Sequence, residues 1–517
     1  MMSGWAAIDA ARRGRTESYA FKKEATAMNV LLRRLKVATR SEAMNQVVRL
    51  IGHCSDGTLC RMWQLFEWLA PAEEDKREAR KVRWLIQQGH PFGEWMRRVS
   101  RELSPKCRRN LIGNLYGNAW FLNKGGVRVQ FREREGFDPP TFIVVDVTQK
   151  CNLRCEGCWA GAYAQEPDID MKLLRRVIDE CRDELGIHFF VFSGGEPMIR
   201  KDLYELYEDY PDCQFQIYTN GTLIGENEAR RLGDAGNVMA MLSVEGLEEA
   251  TDRRRGDGAF RKITWAMGHL REEGVPFGFS ATATRHNAEE IASEKFVNEM
   301  LSVGCLYGWY FQYIPVGRNP DMSLMVTAAQ REMMRKRTYH LRNTLPIYLG
   351  DFWNDGPEVQ GCMAGGKRYL HITNRGDVEP CVFCHFAVDN IKDKTLTEAL
   401  RSPFFRDIRS GIPYDGNYLR ACMLIDRPSV FRSYFDKHKP YPTHAGGEAL
   451  VTELAGPLDR SADEVKKIYD PAWLAGDWMK VYPDPPEDIY SGKSSGSTGS
   501  SQASSSSSDE LFARMRE

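Results

Sequence analysis

The stretch DVTQKCNLRCEGCW, residues 146–159, contains three cysteines at Cys-x3-Cys-x2-Cys spacing. Two Cys pairs are typical of a zinc site and an isolated pair of a redox couple, so this trio fits neither pattern. A 4Fe-4S cube presents four irons, and cysteine thiolates are its usual ligands. Thiolates from Cys151, Cys155 and Cys158 would therefore hold such a cluster and leave one iron open for a small molecule.

The trio directly follows the first of six short β-rich runs that begin after Pro139-Pro140. Helical stretches separate the runs, a repeat that predicts βα units with a parallel sheet, and six such units predict an open or partial barrel. Ligands of these folds bind at the C-terminal ends of the strands, so the chemistry is expected where each run closes. The runs are 141–147, 188–194, 214–221, 238–246, 275–284 and 307–315.

The bulk composition is that of a globular protein. The chain has 517 residues, of which 42% are hydrophobic and 27% charged. Its 70 basic and 71 acidic residues give a formal net charge of -1, so nucleic acid is not expected as a partner. No signal peptide and no run of about 18 apolar residues is recognisable, which predicts a cytoplasmic location. In that setting the 13 cysteines favour reduced thiols and metal ligands over disulfides.

Changes in composition and in the spacing of apolar residues along the chain predict five regions. Ser104 and Pro105 read as the N-cap and first position of a helix, and 28–35 has helical periodicity. A hairpin is expected to turn at 374–376, and the Ser-rich tail cannot bury enough apolar surface to order itself. We expect a helical N-terminal domain at 1–135, the barrel at 139–330, a small Cys-rich α+β extension at 346–425, a helical or irregular segment at 426–490 and a disordered tail at 491–517.

The trio and the ends of the next three runs together resemble the radical SAM superfamily. In that family the Cys-x3-Cys-x2-Cys loop follows the first strand of a partial (βα)6 barrel, and the open iron binds S-adenosylmethionine (SAM). The segments SGGEP (193–197), YTNGT (218–222) and SVEG (243–246) stand in the family's order. The resemblance implies an enzyme that reductively cleaves SAM and uses the 5'-deoxyadenosyl radical to abstract hydrogen. It also implies a flavodoxin-like or ferredoxin-like electron donor.

The same resemblance implies the residues that contact SAM. Three positions depart from the family pattern: Gly157 stands where an aromatic residue is frequent, Glu245 where Asp is usual and Thr251 where His is common. No residue is identified as catalytic, because the radical reacts with whichever C–H bond is held against it. The implied SAM-binding residues are Gly194, Gly195, Glu196, Asn220, Ser243, Glu245 and Arg255.

A second cysteine group consists of Cys362, Cys381, Cys384 and Cys422. The Gly-x4-Cys step into this group resembles the opening of a SPASM or twitch extension, but the remaining Cys pattern of a full SPASM domain is missing. Four thiolates suffice for one auxiliary 4Fe-4S cluster. Two alternatives stay open: zinc could occupy the four thiols, or Cys384 could be a bystander that leaves an iron free for substrate.

The substrate is not specified by the motifs. Peptides, lipids and small metabolites are all substrates of such enzymes, and the basic, Trp-bearing residues 76–109 lean toward a lipid and leave a peripheral membrane contact open. An iron-sulfur or zinc binding protein that keeps the barrel without turnover is the alternative to an enzyme. Polar residues that could contact substrate or the barrel rim are Thr282, Thr284, Gln312, Tyr313, Asp351 and Asn354.

Overall fold

The structure is a computed structural model that describes residues 51–70, 73–115, 126–160, 166–478 and 481–490. The periodic segment 28–35 and the tail 491–517 lie outside the described residues.

Parallel strands form the centre of the protein. Seven parallel strands, β1 to β7, lie side by side in chain order, and each of the first six pairs with the next one along the chain. The first six coincide with the runs expected from sequence, except that β1 extends one residue beyond its run, to Thr148. Each is an apolar, β-branched or aromatic segment with both faces covered. The prediction of a partial barrel is therefore confirmed. The strands are β1 (Ile143–Thr148), β2 (Phe189–Gly194), β3 (Gln214–Thr219), β4 (Val238–Ser243), β5 (Phe277–Ala283), β6 (Tyr307–Gln312) and β7 (Tyr348–Asp351).

Helices connect these strands and cover the outside of the sheet. Local capping sets their starts: the Asp170 carboxylate accepts from the N–H of Leu173 at 3.0 Å, and Thr327 forms a capping box with Gln330. The helices are α6 (Met171–Glu180), α7 (Leu203–Asp209), α8 (Glu226–Ala235), α9 (Glu248–Arg255), α10 (Ala259–Glu272), α11 (Ala288–Ile291), α12 (Glu294–Val303), α13 (Ala328–Thr344) and α14 (Gly356–Val359).

The described N-terminal residues are helical and pack under the barrel. The Trp95 indole donates to the carbonyl of Leu306 at 2.8 Å, and the buried Arg98 guanidinium donates to that of Cys305 at 3.1 Å, just before β6. These helices thus pack at the end of the strands opposite the cysteine trio, and Trp95 and Arg98 are engaged there rather than free for a lipid. They are α1 (Asp56–Leu69), α2 (Glu73–Gln87), α3 (Phe92–Glu102), α4 (Pro105–Asn110, capped by Ser104 as expected) and α5 (Val127–Glu135).

The Cys-rich extension continues the same sheet. Strand β8 pairs in parallel with β1, joining Val144 to His371, and β9 returns antiparallel to β8 in the expected hairpin. Within the described chain this gives a ten-stranded sheet in the order β11-β9-β8-β1-β2-β3-β4-β5-β6-β7. The remaining elements are β8 (His371–Ile372), β9 (Asp377–Glu379), β10 (Phe386–Ala387), β11 (Asp389–Asn390), α15 (Leu396–Leu400), α16 (Pro403–Gly411), α17 (Pro428–His438), β12 (Tyr441–Pro442), α18 (Ala455–Leu474) and α19 (Glu487–Tyr490).

Across the described ranges, the helices are too short or too polar to span a bilayer.

Candidate metal centre

The cysteine trio lies on the loop that leaves the C-terminal end of β1. Cys155 is buried, whereas Cys151 and Cys158 are partly exposed. Burial, together with the negative charges of Glu196 and of the other two cysteines, raises the pKa of the Cys151 thiol to about 11. The three sulfurs are thus close enough to influence one another, and metal binding would have to displace their protons. This donor set, open on one side, fits a cluster with one free iron.

Backbone contacts fix the shape of this loop. The N–H of Arg318 donates to the carbonyl of Cys158 at 3.0 Å, and the Arg318 guanidinium donates to that of Cys155. Gly317 has a φ of +77°, and an added Cβ would lie 2.4 Å from the Cys158 oxygen. The segment after β6 therefore approaches the loop so closely that a side chain at Gly317 would not fit.

The glycines after β2 approach the other side of the loop. The Gly195 N–H donates to the carbonyl of Thr148 at 2.7 Å, and the Glu196 N–H donates to that of Lys150 at 2.8 Å. A Cβ on Gly195 would lie 2.1 Å from the Lys150 oxygen, and one on Gly194 would lie 2.1 Å from the Thr148 oxygen. Both glycines are thus required where the β2 segment touches the backbone leading to Cys151; their expected contact with SAM stays a prediction.

The Glu196 carboxylate ties the ends of β2 and β3 together. It is buried and accepts hydrogen bonds from the Thr219 hydroxyl at 2.7 Å, the Asn220 N–H at 2.7 Å and the Met198 N–H at 3.0 Å. Burial raises its pKa, while these three donors stabilise the charged form. The carboxylate therefore holds the loops after β2 and β3 together through these hydrogen bonds. Its predicted contact with the SAM ammonium would have to use the lone pairs that remain.

Asn220 connects β3 to the trio. Its side-chain amide donates to the Asn152 side chain at 2.8 Å and lies 3.9 Å from the Cys151 sulfur. The Asn220 oxygen accepts from the hydroxyl and N–H of Thr222 at 2.6 and 2.9 Å. Asn220 is thereby oriented toward Cys151, next to the place where the predicted cofactor would bind.

The buried Glu245 and the partly buried Arg255 form an ion pair beside the trio. The Arg255 guanidinium lies 2.5 Å from the Glu245 carboxylate and 3.8 Å from the Cys155 sulfur. Arg254 lies 2.7 Å from the same carboxylate oxygen, an ion pair without the alignment of a hydrogen bond. The N–H of Thr282 donates to Glu245 at 3.0 Å. The Glu245 side chain, longer than the Asp of the family pattern, thus reaches both β5 and α9. Ser243, at the end of β4, pairs with Ser280 of β5.

Thr251, which stands where the family pattern commonly has His, caps the loop after β4. Its hydroxyl accepts from the N–H of Glu245 at 3.0 Å and donates to the carbonyl of Gly246 at 2.8 Å. This departure from the family pattern therefore has a local structural role.

The second cysteine group is brought together in the extension. Burial, together with the charges of neighbouring cysteines, raises the pKa of the Cys362, Cys381 and Cys422 thiols to about 12 each, and that of Cys384 upward as well. Within the described ranges no three Cys, His, Asp or Glu side chains are arranged as a preformed site for one metal ion. The four sulfurs nevertheless act on one another electrostatically, so Cys384 lies with the other three.

Aromatic rings connect the loops that carry the two cysteine groups, a feature that the sequence reasoning missed. The ring of Trp159, next to Cys158, lies 6.0 Å between centroids from Phe383, which stands between Cys381 and Cys384. Further rings continue this contact on the barrel side: Phe311 lies 6.2 Å from Phe383. We name Trp159, Phe311, Phe352, Trp353 and Phe383 the aromatic wall.

His371 was also missed, because its partners are distant in sequence. Its ring is buried between the carboxylates of Asp146, at the end of β1, and Glu379, two residues before Cys381. Trp159 packs edge-on against the same imidazole at 6.0 Å. His371 thus links β1, which leads into the first cysteine group, to β9, which leads to Cys381.

Most of the other polar residues proposed to face substrate make hydrogen bonds at the barrel rim in the structure. The Thr284 hydroxyl bonds Asn287 at 2.8 Å, the Tyr313 hydroxyl accepts from the N–H of Asp321 at 2.9 Å, and Asn354 donates to Asp351 at 2.7 Å. Burial raises the pKa of Asp351 to about 6. Gln312 is buried at the end of β6, and no hydrogen-bond partner for its amide nitrogen is found in the described residues.

Comparison with known proteins agrees with this geometry. Residues 145–293 match the family model of the radical SAM superfamily, and residues 362–423 match that of the SPASM iron-sulfur cluster-binding domain. An AdoMet-dependent heme synthase of Oleidesulfovibrio alaskensis is 28% identical over 57% of this chain and 83% of its own length. A PqqA peptide cyclase of Xanthomonas axonopodis is 28% identical over 50% of this chain and 74% of its own. The structure of Streptococcus suis SuiB bound to SAM is 18% identical, with a TM-score of 0.48, over 57% of this chain and 75% of that one.

The matched core, the trio at the end of β1 and the partial barrel define a radical SAM enzyme. More particularly, the chain is a radical SAM enzyme with a C-terminal SPASM extension. Its cofactors are SAM with a 4Fe-4S cluster, and the extension implies auxiliary iron-sulfur binding. Cys151, Cys155 and Cys158 would hold the first cluster, which would supply an electron for the reductive cleavage of SAM.

Proposed function

We propose that this enzyme is an oxidoreductase that abstracts hydrogen from a substrate held against the aromatic wall, between its two metal centres. The observation that carries the proposal is the contact of Trp159, one residue after Cys158, with Phe383 in the loop of the second cysteine group. A group held between the trio and the second cysteine group would lie against these two rings. Flat, apolar groups are favoured there, because aromatic faces and edges pack best with other rings.

Two sources supply such a group: the aromatic side chain of a peptide and the ring of a tetrapyrrole. Relatives named as a PqqA peptide cyclase and an AdoMet-dependent heme synthase support both. A lipid loses its support from residues 76–109, since Trp95 and Arg98 of that segment are bonded to the barrel. Reduced thiols throughout the described chain support a cytoplasmic location with a flavodoxin-like or ferredoxin-like donor.

The proposal is tested with anaerobically reconstituted protein, SAM and dithionite. We expect 5'-deoxyadenosine to form, and to form faster when a substrate of the right class is present. A Tyr-containing peptide library and an iron porphyrin are the two probes, and the product's mass change identifies the reaction. No 5'-deoxyadenosine above the level of a variant lacking Cys151, Cys155 and Cys158 would favour a binding protein without turnover.

The occupant of the second group is tested by metal analysis. The match to an iron-sulfur cluster-binding domain supports iron at Cys362, Cys381, Cys384 and Cys422. Two cubes would give about eight irons per chain. One equivalent of zinc with about four irons would contradict this assignment and leave the radical core untouched.

A further inference from the structure

The hydroxyl of Tyr369 contacts a sulfur of the second cysteine group. Its oxygen lies 2.9 Å from the Cys381 Sγ, and the side chain is 1% exposed. The single hydroxyl proton points to this sulfur, so Tyr369 is a hydrogen-bond donor to Cys381.

The sheet fixes the ring that carries this hydroxyl. The carbonyl of Arg368 accepts from the N–H of Thr141 at 2.7 Å, and that of Leu370 accepts from the N–H of Val144 at 2.9 Å. The ring stacks on Phe142 with centroids 5.3 Å apart and planes 6° apart. Because both the backbone and the ring are held by the β1 segment, the direction of the hydroxyl is preset.

The hydrogen bond from this hydroxyl bears on the charge that the Cys381 sulfur carries. Hydrogen bonds to the sulfurs of an iron-sulfur cluster are one of the factors that set its reduction potential, because the reduced cluster carries more negative charge on sulfur.

We propose that Tyr369 is a positioning residue that raises the reduction potential of the cluster bound at the second cysteine group, by donating a hydrogen bond to Cys381. The inference rests on the proposed iron-sulfur occupancy of that group. It makes the second centre easier to reduce, the property required of an electron acceptor that faces the aromatic wall. The Tyr369 ring reaches this wall directly, with its centroid 5.9 Å from that of Phe352.

The test is Tyr369→Phe in a background that lacks the first trio, so that only the second cluster titrates. Anaerobic redox titration with mediators, followed by EPR, measures its midpoint potential. We expect unchanged iron content, about four per chain, and a midpoint shifted to lower potential. The matched control is Tyr310→Phe, which removes a buried hydroxyl bonded to the Ile291 carbonyl at 2.7 Å, on the α11 side of the sheet. A retained cluster with the same midpoint in both variants overturns the inference.

A second measurement uses the unmutated tyrosine, in case Tyr369→Phe loses its cluster. In the trio-free background, pulsed EPR of the reduced second cluster in H₂O and D₂O should reveal an exchangeable proton coupled to it. That coupling should persist in Tyr310→Phe. Absence of any exchangeable coupling overturns the proposal. Zinc in place of iron at the second group would contradict the proposed iron-sulfur occupancy itself. Metal analysis distinguishes this result from an unchanged midpoint and from a missing proton coupling.

Discussion

The Nδ1 atom of His371 lies 2.6 Å from Oε2 of Glu379, and both side chains are fully buried. On the other side of the ring, Nε2 lies 3.1 Å from the Asp146 carboxylate, close enough for an ion pair although not aligned as a hydrogen bond. The two carboxylates overcome burial and raise the pKa of His371 to about 10. A charged imidazolium thus joins the end of β1 to the extension.

Replacing His371 by Gln should remove a pH-dependent part of the stability. A raised pKa gives stability that is complete below the unfolded value of about 6.5 and is lost as pH rises toward 10. The raised pKa of Glu379 also makes the stability fall as pH rises. The other ionisable side chains around His371 and Glu379 are Asp146, His385 and His444. We expect the variant to be less stable by about 3 kcal/mol at pH 6.5, with a flatter profile of apparent Tm from pH 6.5 to 10. Parallel profiles of the two proteins would contradict the charged state of His371.

Replacing Cys151, Cys155 and Cys158 together by Ala should abolish SAM cleavage. The variant should keep about half of the iron, because the second group is separate in the chain. Iron analysis and 5'-deoxyadenosine formation check this. The control is the double substitution Cys54→Ala and Cys60→Ala in the N-terminal helices, which should leave both readouts unchanged.

Gly195→Ala should damage the first metal centre itself. The added methyl group would lie 2.1 Å from the Lys150 oxygen, one residue before Cys151, so the loop must move. We expect loss of most of the iron bound by the trio and at least a tenfold fall in 5'-deoxyadenosine formation. Gly268→Ala in α10 is the control, since nothing lies within 4 Å of its Cβ position. Full iron content in Gly195→Ala would show that the loop tolerates the displacement.

Arg255→Gln should weaken SAM binding. The guanidinium lies between the buried Glu245 carboxylate and Cys155, and its loss leaves that carboxylate with Arg254 and a backbone N–H. We expect the Kd for SAM on cluster-replete protein to rise about tenfold, which corresponds to about 1.4 kcal/mol. Arg253→Gln on the exposed side of α9 should have no effect. An unchanged Kd would contradict the predicted contact.

Trp159→Ala should uncouple SAM cleavage from product formation. It opens the aromatic wall next to the trio without removing a cluster ligand. Iron content should stay constant while product formed per 5'-deoxyadenosine falls several-fold. Trp265→Ala, at a position 66% exposed on α10, is the control. If 5'-deoxyadenosine and the substrate-derived product fell in the same proportion, the result would instead indicate damage to the first metal centre.

The strands and the trio were predictable because both are local in sequence. Each β-rich run is recognisable by its apolar residues, and Cys151, Cys155 and Cys158 stand within one short loop that directly follows the first run. The contacts of Glu196 and His371 were not predictable. Glu196 accepts a hydrogen bond from Asn220, in the loop after β3. His371 lies between Asp146 and Glu379, which are far apart in the chain. No sequence period encodes such pairings, since long-range packing decides them.

The neighbour of the first strand arrives late during synthesis. Val144 pairs with His371, residues whose numbers differ by 227. At typical translation rates the ribosome needs roughly 10 to 45 s to make that length. Until then one edge of β1 has no strand beside it, and open edges recruit other chains. The nascent barrel therefore has a window in which holdase chaperones should bind it, and messages truncated before this pairing should yield insoluble protein.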